Sequence, residues 1–233
     1  WELVPGGRYV VNHHGTTLFA FTVGSNIKET LAAKRTGESS DMPLRMAAAH
    51  TDYPCLRIKP NADFKTDVYA QVNVEVYGGP ILNTWFDRPL GLAGRVMVKN
   101  GDRIETKLVK INRDLLMIPS LAIHMNREVN EGYRYNAQKD MLPLMACGCE
   151  KGQFKAIIAQ AAGVKEEDIL AQDLFLYSRS QASIWGAQEE FISCGRLDDL
   201  QCAFAGLKGF LEAGQCEVEE VQSPEEKTSA VPV

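Results

Sequence analysis

The chain has 233 residues, 45% of them hydrophobic and 24% charged, with a formal net charge of −5. That length can bury a full core in one domain or two, and the balance is ordinary for a globular protein. The negative charge gives no electrostatic reason to expect nucleic acid or an anionic membrane as partner, and no apolar run approaches the ~20 residues of a membrane span.

In chain order, residues 8–11 (RYVV) and 16–23 (TTLFAFTV) are rich in β-branched and aromatic residues and flank Asn12-His13-His14-Gly15. This predicts a hairpin, with the two histidines in its turn. Adjacent residues on a strand face opposite ways, so at most one of His13 and His14 could serve a common site. Residues 43–50 (PLRMAAAH) then predict a buried strand of a mixed or parallel sheet, ending at His50. Sites in open α/β sheets form just beyond the carboxyl ends of strands, which is where His50 and Asp52 stand.

From about residue 62 the texture changes. Val68, Ala70, Val72, Val74 and Val76 alternate with polar residues and Tyr69, the period of a strand with one buried face. Residues 95–111 repeat the pattern, with Asn100-Gly101 predicting a type I′ turn between two strands. A helix follows over 152–162, with Phe154, Ile157, Ile158 and Ala161 on one face and Gly163 as its cap. Residues 173–178 (DLFLYS) read as a strand. The strongest helical pattern is 196–214, where Leu200, Ala203, Phe204, Leu207 and Leu211 predict a buried stripe and Gly214 an end. Residues 217–229 read as an exposed acidic connection, and 230–233 (AVPV) as the beginning of a strand.

His50-Thr51-Asp52 can supply a zinc ligand, with one residue ligating and the other orienting it. A satisfied structural histidine is the competing reading. Asp198 and Asp199 open the strong helix, where carboxylates are favoured as caps; one can cap while the other points into a cleft and holds metal. Amide hydrolysis assisted by metal also needs a carboxylate base. Glu219-Glu220 is the visible pair, but it lies in the solvated connection and is set aside. The six cysteines, at 55, 147, 149, 194, 202 and 216, are not needed as bridges in a chain with a full core. Cys202 falls on the apolar helical face, where a thiol simply packs. Cys147-Gly148-Cys149 could bind metal or cycle redox, yet it lacks a second Cys or His pair nearby. This usage points to a reducing, cytoplasmic setting.

Four blocks in order, AAHTDYPCLRIKP (48–60), GGPILNTWFDRPLGLAGRV (78–96), PSLAIHMNREVNEG (119–132) and EEFISCGRLDDL (189–200), resemble the aspartyl aminopeptidase family of dinuclear zinc exopeptidases. The opening WELVPGGRYVV is a weaker match, and the likeness covers essentially the whole chain. It implies an α/β fold: a zinc-exopeptidase-like α/β sandwich, partial here, with an inserted β-rich oligomerisation domain. The corresponding division is 1–61 for the first part of the metallopeptidase domain, 62–190 for the insert, and 191–233 for the return. It implies a zinc-dependent aminopeptidase acting on peptide N-termini, acidic residues favoured, with two zinc ions per complete site.

Residue by residue, the resemblance makes His50 a zinc ligand, Asp52 its catalytic support and Asp198 the carboxylate bridging the metals. His124, in Leu-Ala-Ile-His, would reach a neighbouring subunit's site and hold substrate; the residues by themselves give it no role. The family motif Arg-Leu-Asp-Asn-Leu reads Arg196-Leu197-Asp198-Asp199-Leu200 here, which adds a negative charge beside the site. The family assembles as large oligomers, commonly dodecamers, so self-association through the insert is expected. The general base, a Glu-Glu pair after a Val-Pro-Val-like strand, and further ligands have no match. With Trp1 in place of Met, the chain is expected to be a fragment, inactive alone, whose remaining site lies beyond Val233. A non-catalytic oligomerisation or regulatory module derived from the same family is the alternative.

Overall fold

The computed structural model describes residues 2–37, 44–148 and 152–213. The chain divides into two compact units, one built on the described residues of Trp1–Ala49 and Cys202–Val233, the other His50–Gln201. The expected features at Cys149, Gly214, Glu219-Glu220 and 230–233 lie outside the described residues.

In the first unit, strands β1 (Arg8–His13) and β2 (Thr17–Thr22) pair antiparallel, and His13 faces Thr17. The turn is closed by the Asn12 side chain, whose Oδ1 accepts the Gly15 N–H at 2.9 Å. The hairpin is as expected, and both histidines sit at its tip. Helix α1 (Ile27–Arg35) follows. Residues 44–50 correct the expectation of a buried strand: they form no strand, and Leu44 and Met46 are 74% and 75% exposed. An apolar run becomes a buried strand only if neighbours pair its backbone and cover its faces. No described strand pairs with this one.

The second unit is a six-stranded antiparallel sheet. Its strands are β3 (Cys55–Lys65), β4 (Tyr69–Tyr77), β5 (Leu90–Asn100), β6 (Arg103–Leu116), β7 (Leu144–Cys147) and β8 (Ile169–Ser178). Their order across the sheet is β6-β5-β8-β3-β4-β7. The change of texture near residue 62 falls inside β3, which already begins at Cys55. The alternation read in β4 is present within the strand, where Ala70, Val72 and Val74 are buried while Tyr69 and Glu75 are exposed, but Val68 precedes the strand and is exposed. Leu56, Leu176 and Leu92 align across β3, β8 and β5 and are fully buried. Each such side chain contributes about 1.5–3 kcal/mol of transfer free energy. Gly94 on β5 has φ +153°, and a Cβ there would strike the Asp173 carbonyl oxygen, so glycine permits the close approach of β8.

The turn between β5 and β6 differs by one residue from expectation. Asn100 pairs with Arg103, so the two loop residues are Gly101 and Asp102. Only Gly101 has a positive φ (+59°), the φ pattern of a II′ turn with glycine first, not a I′ turn. Asn100 instead donates from Nδ2 to Glu105 Oε1 at 2.7 Å.

Helix α2 (Gln153–Ala162) lies against β6 and β3, burying Phe154 and Ile158. Gly163 caps it, its N–H reaching the Ala159 and Gln160 carbonyls. A small hairpin, β9 (Ser183–Trp185) and β10 (Phe191–Ser193), stands apart from the large sheet. Helix α3 (Leu197–Glu212) ends the described chain, and Arg8 donates to its Phe210 and Leu211 carbonyls. The stripe expected to be buried on α3 is not: Leu200, Phe204, Leu207 and Leu211 are exposed, and Cys202 with them. Periodicity creates an apolar face but does not create its cover. Among the described residues, no helix is long and apolar enough to cross a membrane.

Candidate metal centre

Two segments of the second unit meet: the residues leading into β3, which carry His50, Asp52 and Tyr53, and the start of α3. Regular helix does not begin at Leu197. Asp198 (φ −88°, ψ 111°) and Asp199 (φ −115°, ψ 20°) are non-helical, and the peptide between them is cis. With these dihedrals, both acids stand before the regular helix. Asp198 is almost fully exposed, whereas the Asp199 side chain is largely covered.

The His50 main-chain N–H donates to Asp199 Oδ2 at 3.1 Å. Its Nδ1 lies 2.9 Å from the Asp52 carbonyl oxygen and 3.2 Å from Asp52 Oδ1. An Nδ1–H donating to these oxygens leaves Nε2 with its lone pair outward. Nε2 is 3.8 Å from both Asp198 Oδ1 and Asp199 Oδ2, beyond hydrogen-bond reach. The other Asp52 oxygen, Oδ2, accepts the Tyr77 hydroxyl at 2.6 Å. Arg196, two residues before Asp198, sits over the Tyr53 ring, 5.8 Å from its centroid, and ties the segments a second time.

The electrostatics follow the contacts. The Asp52 carbonyl raises the His50 imidazole above its ordinary pKa, helped by the carboxylates of Asp199, Asp52 and Asp198. The Tyr77 hydrogen bond lowers Asp52, and the same bond raises Tyr77. Burial raises Tyr53 and pushes the neighbouring Cys55 thiol up to about 11.

One imidazole nitrogen and carboxylate oxygens are zinc-ligand types, and a histidine held through Nδ1 by a carboxylate and a carbonyl is the usual support of such a ligand. The donors therefore fit zinc in kind. They do not complete a site: among the described residues, no group of three or more His, Cys, Asp or Glu side chains is placed to hold an ion. His50, Asp52 and Asp198 are brought together although His50 and Asp198 lie 148 positions apart in sequence. His124 is not with them; it lies exposed in the turn around Met125, whose N–H bonds to Ala122 O. Cys147 is exposed at the end of β7. One participant escaped sequence reading: Tyr77 is linked to Asp52 by the β3–β4 register, which pairs Cys55 with Tyr77. Asp199 is legible as one of two acids opening α3, but its bond to the His50 main chain is not.

A sequence profile described as aminopeptidase I zinc metalloprotease (M18) matches residues 1–231. A probable M18 family aminopeptidase 2 of Clostridium acetobutylicum is 44% identical over 220 residues, covering 91% of this chain and 48% of that protein. Its counterpart in Azotobacter vinelandii is 37% identical, covering 93% and 49%. The chain thus spans about half the length of the curated relatives it matches. A cryo-EM structure of the Ape4 and Nbr1 complex superposes with a TM-score of 0.79 at 30% identity, over 92% of this chain and 43% of that one. The structure of Chaetomium thermophilum mApe1 gives 0.74 at 29%, over 90% and 48%.

Proposed function

This chain belongs to the aminopeptidase I zinc metalloprotease family (M18), and we propose that it carries one side of a two-zinc site that releases N-terminal residues from peptides, acidic ones by preference. The observation that carries the reading is His50, fastened through Nδ1 with Nε2 left toward Asp198. His50 and Asp198 would hold zinc, with Asp198 the shared ligand. What zinc supplies when bound is Lewis acidity toward a peptide carbonyl and toward water. Asp52 keeps the imidazole in the tautomer that frees Nε2, and Asp199 fixes the main chain of His50. His124 engages substrate from a neighbouring copy.

The sheet unit supports self-association. Strand β6 is an edge strand, and its outer face exposes Ile104 and Leu108, the latter by 84%. Light scattering at high concentration is expected to show oligomers; a strict monomer would contradict this part.

With two donors and no general base among its described site residues, the 233-residue chain alone is expected to turn over negligibly. Aspartyl- and leucyl-peptide substrates, assayed with added zinc, test the reading on this chain and on the whole protein. The whole protein should cleave the aspartyl substrate faster, lose activity to a chelator, and lose it again on His50→Ala or Asp198→Ala. Chelator-resistant turnover, or substantial turnover by this chain alone, would overturn the assignment of these roles.

A further inference from the structure

The contact that neither the motifs nor the family reading explains is Tyr77, and we propose that it is a positioning residue for His50. It fixes the Asp52 carboxylate so that one oxygen stays on the imidazole and the Nε2 face stays open. The metal-binding consequence rests on the proposed function above; the effect on His50 itself does not.

The geometry assembles in steps. Strand β4 ends at Tyr77, opposite Cys55, and the next residue, Gly78, has φ +73°. A Cβ on Gly78 would lie 3.3 Å from Pro54 Cα, so glycine lets the end of β4 close onto the segment that carries Asp52. The Tyr77 ring meets Phe175 of β8 edge-on, with centroids 5.7 Å apart and planes at 75°. Ring packing therefore sets the position of the phenol without using its hydroxyl. That hydroxyl donates to Asp52 Oδ2 at 2.6 Å, while Asp52 Oδ1 stands 3.2 Å from His50 Nδ1.

The terminal torsion of an aspartate is soft, and an exposed carboxylate is free to turn toward water. Held by one oxygen, it presents the other to the imidazole. The Asp52 main-chain carbonyl also receives Nδ1, so Tyr77 does not create the tautomer; it adds the second acceptor that keeps it. Outer-shell partners of this kind typically change metal affinity by about 10–100-fold when removed.

The experiment uses the whole 233-residue chain with 15N-labelled histidine, in which His50 is one of four histidines. Long-range 1H–15N spectra with the imidazole neutral and no metal present report the His50 tautomer. The wild-type chain is expected to show mainly Nδ1–H. Tyr77→Phe keeps the ring and is expected to raise the Nε2–H share; an unchanged tautomer overturns the proposal. Phe175→Leu loosens the ring but keeps the hydroxyl, so it should shift the tautomer less than Tyr77→Phe does. A larger shift from Phe175→Leu than from Tyr77→Phe would mean that packing and not the hydroxyl sets the tautomer, and the proposal falls. Zn2+ added to the same samples should act on His50 of Tyr77→Phe about tenfold more weakly than on wild type, and equal responses count against the proposal. A wild-type His50 that ignores Zn2+ removes the metal reading, while the metal-free comparison still decides on Tyr77.

Discussion

Helices α2 and α3 carry the same kind of message and meet different fates. Each repeats apolar residues at helical spacing. On α2 Phe154, at 1% exposure, and Ile158 are buried because β6 and β3 lie beneath them, Ile157 is half-buried, and Ala161 of the expected stripe is exposed. On α3 the equivalent residue of the stripe, Phe204, is 67% exposed. A sequence pattern specifies which face of a helix is sticky; whether that face is covered depends on what else is present to cover it. The same rule separates the strands of the large sheet from residues 44–50, an apolar run with which no strand pairs among the described residues.

The most decisive way to break this contrast is to truncate both phenylalanines. Phe154→Ala should cost about 3–5 kcal/mol, the range for an aromatic removed from a packed core, whereas Phe204→Ala should stay within roughly 0.5 kcal/mol. Denaturant midpoints of the two variants measure the difference. Comparable losses would mean that the α3 face is covered after all.

Gly94→Ala probes how tightly the sheet itself is built. The new Cβ would strike the Asp173 carbonyl oxygen and lie 2.8 Å from Leu174 Cα, both backbone atoms that cannot swing aside. Overpacking there should cost roughly 1–3 kcal/mol, read as a lowered melting temperature. A neutral outcome would show that β5 and β8 are not in such close register.

A smaller effect separates the rim of the sheet from its core. Asp87 Oδ1 accepts the Ser120 N–H at 2.8 Å, and hydrogen bonding from the Ser120 side chain, followed by this main-chain bond, lowers the pKa of Asp87. A depressed folded pKa contributes stability above the unfolded value, near 3.9, and loses it as pH falls through the folded one. Asp87→Ala should therefore be less stable than wild type at neutral pH, by at most about 1 kcal/mol for an exposed group. The gap should narrow in acid; a gap that widens as pH falls would contradict the assignment. Asp87 also sits at φ +57°, which Asn tolerates better than Ala, so Asp87→Asn should lose less.

Thiol labelling reads the contrast through rates. Cys55 is buried and its thiol is pushed up to about 11, so it should resist alkylation at neutral pH. Cys202, exposed on α3, should react readily. Similar rates at both positions would indicate that the two regions are equally covered.

Local pattern carried much of the fold to the surface of the sequence. The alternation in β4, the first hairpin, the Gly163 cap and the extent of α2 follow from period and turn chemistry within a dozen residues. The Gly101-Asp102 loop was missed by one position because register is set by pairing across the hairpin, and Asn100 is a paired residue. The fate of 44–50 and of the α3 stripe depends on partners, which periodicity does not encode. The site divides the same way. His50 with Asp52 is legible because the two stand two residues apart, and Asp198 because its motif is distinctive. Tyr77 is not, since only the pairing of β3 with β4 carries its hydroxyl to Asp52. Asp199 stood out as a departure, but its hydrogen bond to the His50 main chain depends on the non-helical backbone at the start of α3.

The central claim is that His50 presents Nε2 to a metal. A Zn2+ titration of the 15N-histidine-labelled chain, followed at all four histidines, tests it most directly. The account expects the His50 Nε2 resonance to respond at lower zinc than those of His13, His14 and His124, with the response abolished in Asp198→Ala. A His50 signal that stays still while the hairpin histidines respond first would contradict it.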